Sequence, residues 1–272
     1  MSATIGTRVG HFVWHELVTP DVEAAKAFYA GLFGWEFEIF KPGEMDYAMI
    51  SANGQTHGGV MAPDTSSGVP PHWFGHVLVD DADAALARAE KLGGKAAYGP
   101  MDIPEIGRFV LLADPQGGVV SAYRAAGEDG PAAAGTFLWD EFLAGDVEGA
   151  KAFYAGLFGW EFEIFKPGEM DYTMISTNGQ SHGGIMAPDP SSGTPSHWFG
   201  HVLVDDADAA LARAEKLGGK AAFGPMDIPE VGRFALLADP QGGVVSAYRP
   251  TGEEGPAAAE CGAARPLRSR AA

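Results

Sequence analysis

Few side chains in this sequence can move a proton or hold a ligand, and most of those occur twice. Glu16 in FVWHELV and His76 in HWFGHVLV reappear as Glu141 in FLWDEFL and His201 in a second HWFGHVLV. A carboxylate that orients an imidazole can act as a general acid–base pair, with the imidazole titrating near neutral pH. The same two groups could instead satisfy each other as a buried polar pair beneath a sheet. His57 and His182 stand before a Gly-Gly in THGGVM and SHGGIM, where they would line a cavity rim or cap a strand end. His72 and His197, after PDTSSGVPP and PDPSSGTPS, read as exposed strand starts. Arg108 and Arg233, in PEIGRF and PEVGRF, suit either a ligand carboxylate or a surface ion pair. KLGGK lacks the spacing of a phosphate loop. The single cysteine, Cys261, excludes an intrachain disulfide and leaves no thiol chemistry in the repeated body of the chain.

The elements that must position these groups follow from an internal repeat. Shifted by 125, residues 11–124 fall on 136–249 without a gap, and about 18 of roughly 114 pairs differ. A period this long is a whole domain. Within each copy, Asp21 can cap a helix with the stripe Val22, Ala25, Tyr29, Leu32 and Phe33, ending at Gly34. Asp81 can cap a second with Ala82, Ala85, Leu86, Ala89 and Leu92, closed by Gly93. A short strand precedes each helix and three follow it. WEFEIF, DYAMIS and THGGVMA follow the first, with Asn53-Gly54 as a hairpin turn; GKAAY, GRFVLLA and VVSAY follow the second, with DPQGG as the last turn. The order βαβββ thus runs twice per copy. The repeated AKAFYAGLFGW reads as a helix end that must cover one sheet. The expected division is residues 1–127, a linker at 128–135, residues 136–250 and a flexible tail at 251–272.

Composition narrows the partners. The formal charge of −18 would repel phosphates, which argues against nucleic acid or an anionic membrane. No apolar run has the length of a membrane span or the form of a signal peptide, so a cytoplasmic location is expected.

The order of elements, with D-x-x-x-A-K-A-F-Y-x-x-L-F-G-W in the first half of each copy and V-D-D-x-D-A-A-L, G-G and D-P-Q-G in the second, resembles the vicinal oxygen chelate superfamily. That is the glyoxalase, bleomycin-resistance and extradiol-dioxygenase group, and the likeness is strongest to two-domain bacterial members of glyoxalase-like or hydroxylase type, which implies a lyase-like or hydroxylase activity. The resemblance implies an α+β fold of two tandem domains. In each, two βαβββ modules would form a curved, eight-stranded sheet around a cavity. It also implies metal-ligand positions on the first and last strand of each module. Carried over, these fall at Trp14, Met61, Phe74 and Ser121, and again at Trp139, Met186, Phe199 and Ser246. Indole and phenyl rings cannot bind a divalent cation, and a thioether is a poor partner for a hard one. No cofactor is therefore expected. A non-standard divalent metal at Glu16, His57 and His76 is the weaker alternative.

Side chains alternate across a strand, so Glu16 and His76 share the cavity face with Trp14 and Phe74, and the module symmetry brings them together. The same holds for Glu141 and His201. These four are the expected catalytic groups. His15, one residue off, is expected on the opposite face, against a helix layer or the other domain. Trp14, Trp35, Tyr47, Met49, Met61, Phe74 and Tyr123, with copies that include Tyr248, suggest an aromatic and thioether lining for a planar or apolar small molecule. Ser121 and Ser246 join them as ligand contacts. Two functions compete: a glyoxalase-like enzyme acting on a small carbonyl or aromatic metabolite without the usual metal, and a metal-free binder of the bleomycin-resistance type. A third reading makes the cavity vestigial and the protein an assembly element. The chain is expected as a monomer of two fused domains or as a homodimer.

Overall fold

The computed structural model describes residues 8–41, 47–63, 68–126, 137–166 and 171–251. The expected linker at 128–135, all but the first residue of the expected tail, and Cys261 lie outside them. The first copy runs β1 (Phe12–Val18), α1 (Val22–Phe33), β2 (Glu36–Phe40), β3 (Tyr47–Ala52), β4 (Gln55–Met61), β5 (His72–Leu78), α2 (Ala82–Lys91), β6 (Lys95–Ile103), β7 (Gly107–Ala113) and β8 (Val119–Ala125). The second runs β9 (Phe137–Leu143), α3 (Val147–Phe158), β10 (Glu161–Phe165), β11 (Tyr172–Thr177), β12 (Gln180–Met186), β13 (His197–Leu203), α4 (Ala207–Lys216), β14 (Lys220–Ile228), β15 (Gly232–Ala238) and β16 (Val244–Pro250). This is the α+β, twice-duplicated βαβββ arrangement that the strand and helix signals imply.

Local chemistry sets the helix ends. The Asp21 carboxylate accepts from the Ala24 amide, and Gly34 closes α1 in the left-handed conformation at φ 72°. Asp81 caps α2 through Ala84. Each copy builds its own eight-stranded sheet, in the order β2-β3-β4-β1-β5-β8-β7-β6 and its equivalent. The two first strands of the modules, β1 and β5, are antiparallel neighbours at its centre.

The two sheets meet back to back, β5 lying against β13, and the helices pack on the same outer faces. Leu17, Ile50 and Val60 of the first sheet pack with Phe28, Tyr29 and Leu32 of α1, and these in turn with Val202, Leu237 and Val245 of the second sheet. A reciprocal core joins α3 to β5, β7 and β8. The repeated helix therefore covers its own sheet and the other copy's as well, one more sheet than its apolar stripe implied. Hydrogen bonds fix the arrangement: Tyr29 donates to Asp239 across 3.0 Å and receives the Trp73 indole N–H at 2.9 Å. Tyr154, Asp114 and Trp198 repeat this at 2.9 and 2.8 Å. Gln241 clamps the backbone N–H and carbonyl of Asp21. Each DPQGG turn thus holds the first helix of the opposite copy.

His15 lies on this outer face, as strand alternation implies, and meets Asp140 across the contact at 2.8 Å. Its ring stacks on Phe137 at 3.9 Å. Among the described residues no helix is long and apolar enough to cross a membrane.

Candidate functional site

The face of each sheet turned away from the helices is the inner face. Trp14 stands directly opposite His76 in the β1–β5 ladder, and Glu16 opposite Phe74. His76 is level with Ser121 on the parallel neighbour β8. Period-two alternation thus places Trp14, Glu16, Phe74, His76, Ser121 and Tyr123 on one face. Glu16 is 9% exposed and His76 is 6% exposed. Their closest atoms, Glu16 Oε2 and His76 Nε2, are 3.6 Å apart, and the second copy repeats this between Glu141 and His201 at 3.5 Å.

A hydrogen-bonded relay feeds the carboxylate. The Trp14 indole N–H donates to the Tyr47 hydroxyl at 2.8 Å, and that hydroxyl donates to Glu16 Oε2 at 2.9 Å. Trp139, Tyr172 and Glu141 form the same chain at 2.7 and 3.0 Å. Burial, and then the nearby carboxylate, push the ionisation of Tyr47 and Tyr172 well above the usual phenol range. Each tyrosine consequently remains a donor. With its oxygen already accepting an indole proton, its own proton has one direction to go.

The imidazole of His76 sits among three aromatic rings: Phe74 at 5.1 Å, Phe109 at 5.9 Å and Tyr123 at 6.0 Å between centroids. His201 has Phe199, Phe234 and Tyr248 around it at 5.2, 5.9 and 5.7 Å. Among the described residues, Nε2 of each histidine and Oγ of Ser121 and Ser246 are buried without a hydrogen-bond partner. The Tyr123 hydroxyl turns away to the Ile106 carbonyl at 2.7 Å, and burial raises its pKa to about 12. Met61 and Met186 are half-buried at the ends of β4 and β12.

Two expected positions are corrected. His57 is fully buried on the outer face, against Trp35 and Phe137 at 5.0 and 6.0 Å. The β3–β4 ladder skips a residue here: Ile50 pairs with Gly58, but Ser51 pairs with Thr56. This bulge reverses the alternation and turns His57 away from the inner face. His182 follows the same irregularity and packs against His11 and Trp160. Burial lowers the pKa of His57 to about 4 and that of His182 to about 3. Trp35 belongs to the helix-side core beside Tyr29 and Trp73, so it does not line a cavity, and Trp160 likewise donates to the Gly10 carbonyl at 2.6 Å.

Arg108 is held by Asp83 and Asp102 at 2.7–2.9 Å on the surface, and Arg233 by Asp208 and Asp227. Both are ion-paired, which leaves them poor clamps for a ligand. His72 and His197 are half-buried at their strand starts, each bonded to a loop carbonyl.

The inner face offers a divalent metal few donors. At the positions the resemblance assigns to ligands, the Trp14 nitrogen is a hydrogen-bond donor to Tyr47 and Phe74 offers only a ring. One carboxylate and one imidazole remain, the carboxylate already accepting from Tyr47. The Glu16–His57–His76 set is not assembled, because His57 is on the other face. Among the described residues no three His, Cys, Asp or Glu side chains converge.

Comparison with known proteins agrees with this fold. The family model of the Glyoxalase/Bleomycin resistance protein/Dioxygenase superfamily matches residues 8–121 and 138–246. CFP32 of Mycobacterium tuberculosis, described as a candidate glyoxylase, is 35% identical over 249 residues, covering 89% of this chain and 95% of that one. The anthracycline biosynthesis protein DnrV of Streptomyces peucetius is 30% identical over 256 residues, covering 84% and 89%. Among solved structures, the Mn(II)-bound glyoxalase of Novosphingobium aromaticivorans superposes with a TM-score of 0.62 at 17% identity, covering 91% of this chain and 83% of that one. The 2,3-dioxygenase LapB of Pseudomonas sp. KL28 gives 0.61 at 13% identity, covering 88% and 91%.

Proposed function

This chain belongs to the Glyoxalase/Bleomycin resistance protein/Dioxygenase superfamily, and from that premise we propose that each inner face binds a small carbonyl or aromatic metabolite and transfers a proton on it. The observation that carries the reading is the Trp14–Tyr47–Glu16 relay beside His76, built again as Trp139–Tyr172–Glu141 beside His201. Tyr47 occupies Oε2 of Glu16 and fixes the plane of the carboxylate, which leaves Oε1 to accept a proton from the ligand. His76, with Nε2 unpartnered, is placed to hydrogen-bond the ligand oxygen on which charge develops. Phe74, Phe109 and Tyr123 supply flat apolar surface and keep bulk water from the pair. In this reading the proton moves between the ligand and these side chains alone, as the face carries one carboxylate and one imidazole. The relationship to a candidate glyoxylase and to an anthracycline biosynthesis protein supports a small-molecule role.

The aromatic surround of His76 also favours a second reading, in which the same faces sequester a planar molecule without converting it. One experiment separates the two. A metabolite survey by thermal shift identifies a ligand that raises Tm; the double variant Glu16→Gln/Glu141→Gln is then assayed with it. Glutamine still accepts from Tyr47 but is no base. Turnover is expected to fall by about 10²–10⁴-fold while the thermal shift persists. A ligand that shifts Tm but is never turned over by the parent protein supports sequestration. Unchanged turnover in the double variant overturns the acid–base reading.

A further inference from the structure

Tyr47 reaches Glu16 across an intervening strand. The sheet order is β3-β4-β1, so a side chain starting on β3 must cross the whole inner face of β4, and two strand spacings amount to about 9.5 Å. Gly59 is the residue of β4 that lies in this path: it pairs with Met49 on β3 and with Glu16 on β1. A β-carbon built at Gly59 would fall inside the phenol of Tyr47, and one at Gly184 inside the phenol of Tyr172. Neither glycine is among those with positive φ, so backbone freedom does not explain them. Space does. The adjacent Gly58 serves a different need, since its missing side chain lets the His15 carbonyl of β1 come close.

We propose that Gly59 and Gly184 are positioning residues: their empty side-chain places are slots through which Tyr47 and Tyr172 lie across β4 and β12 to seat their hydroxyls on Glu16 and Glu141. The slot sets which oxygen of the carboxylate is occupied and leaves the other for the ligand. Its catalytic consequence rests on the acid–base reading above; its geometry does not. The seated hydroxyl bonds Trp14 and Glu16 of β1, and His76 of β5 lies 3.6 Å from the same carboxylate oxygen.

The test is a cycle in the full chain. Gly59→Ala/Gly184→Ala should lower Tm by about 5–10 °C, because a methyl group is forced against a packed ring. It should also move the Trp14 and Trp139 indole N–H resonances in the direction given by Tyr47→Phe/Tyr172→Phe, and lower kcat at least about tenfold with little change in KM. In a Tyr47→Ala/Tyr172→Ala background the added alanines should cost less than about 2 °C, since the ring they would strike is gone. If the glycine variant fails to fold, recovery of folding in that background supports the slot. Equal damage with and without the tyrosine rings, or indole resonances that do not move, overturns it. Should the Tm cycle and resonances behave as expected while kcat stays unchanged, the slot stands and the acid–base reading falls.

Discussion

The inner faces and the contact between the copies are both duplicated surfaces, yet they are built on opposite plans. On the inner faces the residues of the relay and those around the histidine are the same in both copies, and the geometry follows: 2.8 and 2.7 Å from indole to phenol, 2.9 and 3.0 Å from phenol to carboxylate. At the contact the Tyr–Asp and Gln–Asp bonds also repeat, but where the copies meet near the pseudo-axis several equivalent positions hold unlike residues. His15 corresponds to Asp140, Leu17 to Phe142 and Ala52 to Thr177. Two of these differences meet the other copy: His15 bonds Asp140 at 2.8 Å, and Thr177 lies against Gly10. On an axis of near two-fold symmetry a residue meets its own equivalent. Two aspartates there would repel, whereas a histidine and an aspartate hydrogen-bond. Unlike residues let the halves meet where equivalent positions face each other, and like residues give each half the same site.

The largest effect should come from making the contact symmetric. His15→Asp sets two buried carboxylates against each other, a cost of about 3–5 kcal/mol, seen as a fall in Tm of about 10 °C or more. The exchange His15→Asp/Asp140→His should recover most of it. An exchange as damaging as the single change would deny the pair its complementary role.

Acid should loosen the same contact next. His57 and His182 have folded-state pKa values lowered by burial to about 4 and about 3, and His11 is lowered in the same way, with Arg8 adding to it. Unfolded, each titrates near 6.5. Below that value the unfolded chain binds protons the folded one refuses, so stability is complete above about pH 6.5 and falls as pH drops toward the folded values. By pH 5 the loss is about 2 kcal/mol for each of His57 and His182. Urea melts at pH 7.5 and 5.0 measure it, and His57→Gln/His182→Gln should flatten the difference. An unaltered difference would place the acid sensitivity elsewhere.

Smallest of all should be Arg108→Gln/Arg233→Gln. These ion pairs are exposed, and such pairs contribute little. Tm within about 2 °C of the parent and an unchanged ligand-induced shift are expected; a lost shift would show that these arginines reach the ligand.

The meeting of Glu16 and His76 was legible in the sequence because it needs only alternation and the equivalence of the two modules. Their partners were less so. Tyr47 was readable as an inner-face aromatic, but its bond to Glu16 depends on three strands in register with a glycine between them. Phe109 faces His76 because it pairs with Tyr123 across β7 and β8, a relation that local pattern does not carry. His57 misled for a definite reason: a bulge shifts strand parity without any mark in the residue types around it. The shared helix layer was illegible too, since an amphipathic stripe shows that a face is buried but not how many surfaces bury it.

Single-copy variants test the paired acid–base sites most directly. With a ligand identified by thermal shift, turnover per chain is measured for Glu16→Gln, Glu141→Gln and the double variant. Two equal and independent sites give about half the parent rate in each single variant and about 1% or less in the double. Full activity in either single variant, or more than about a tenth of the parent rate in the double, would contradict the assignment of these carboxylates as the bases of two working sites.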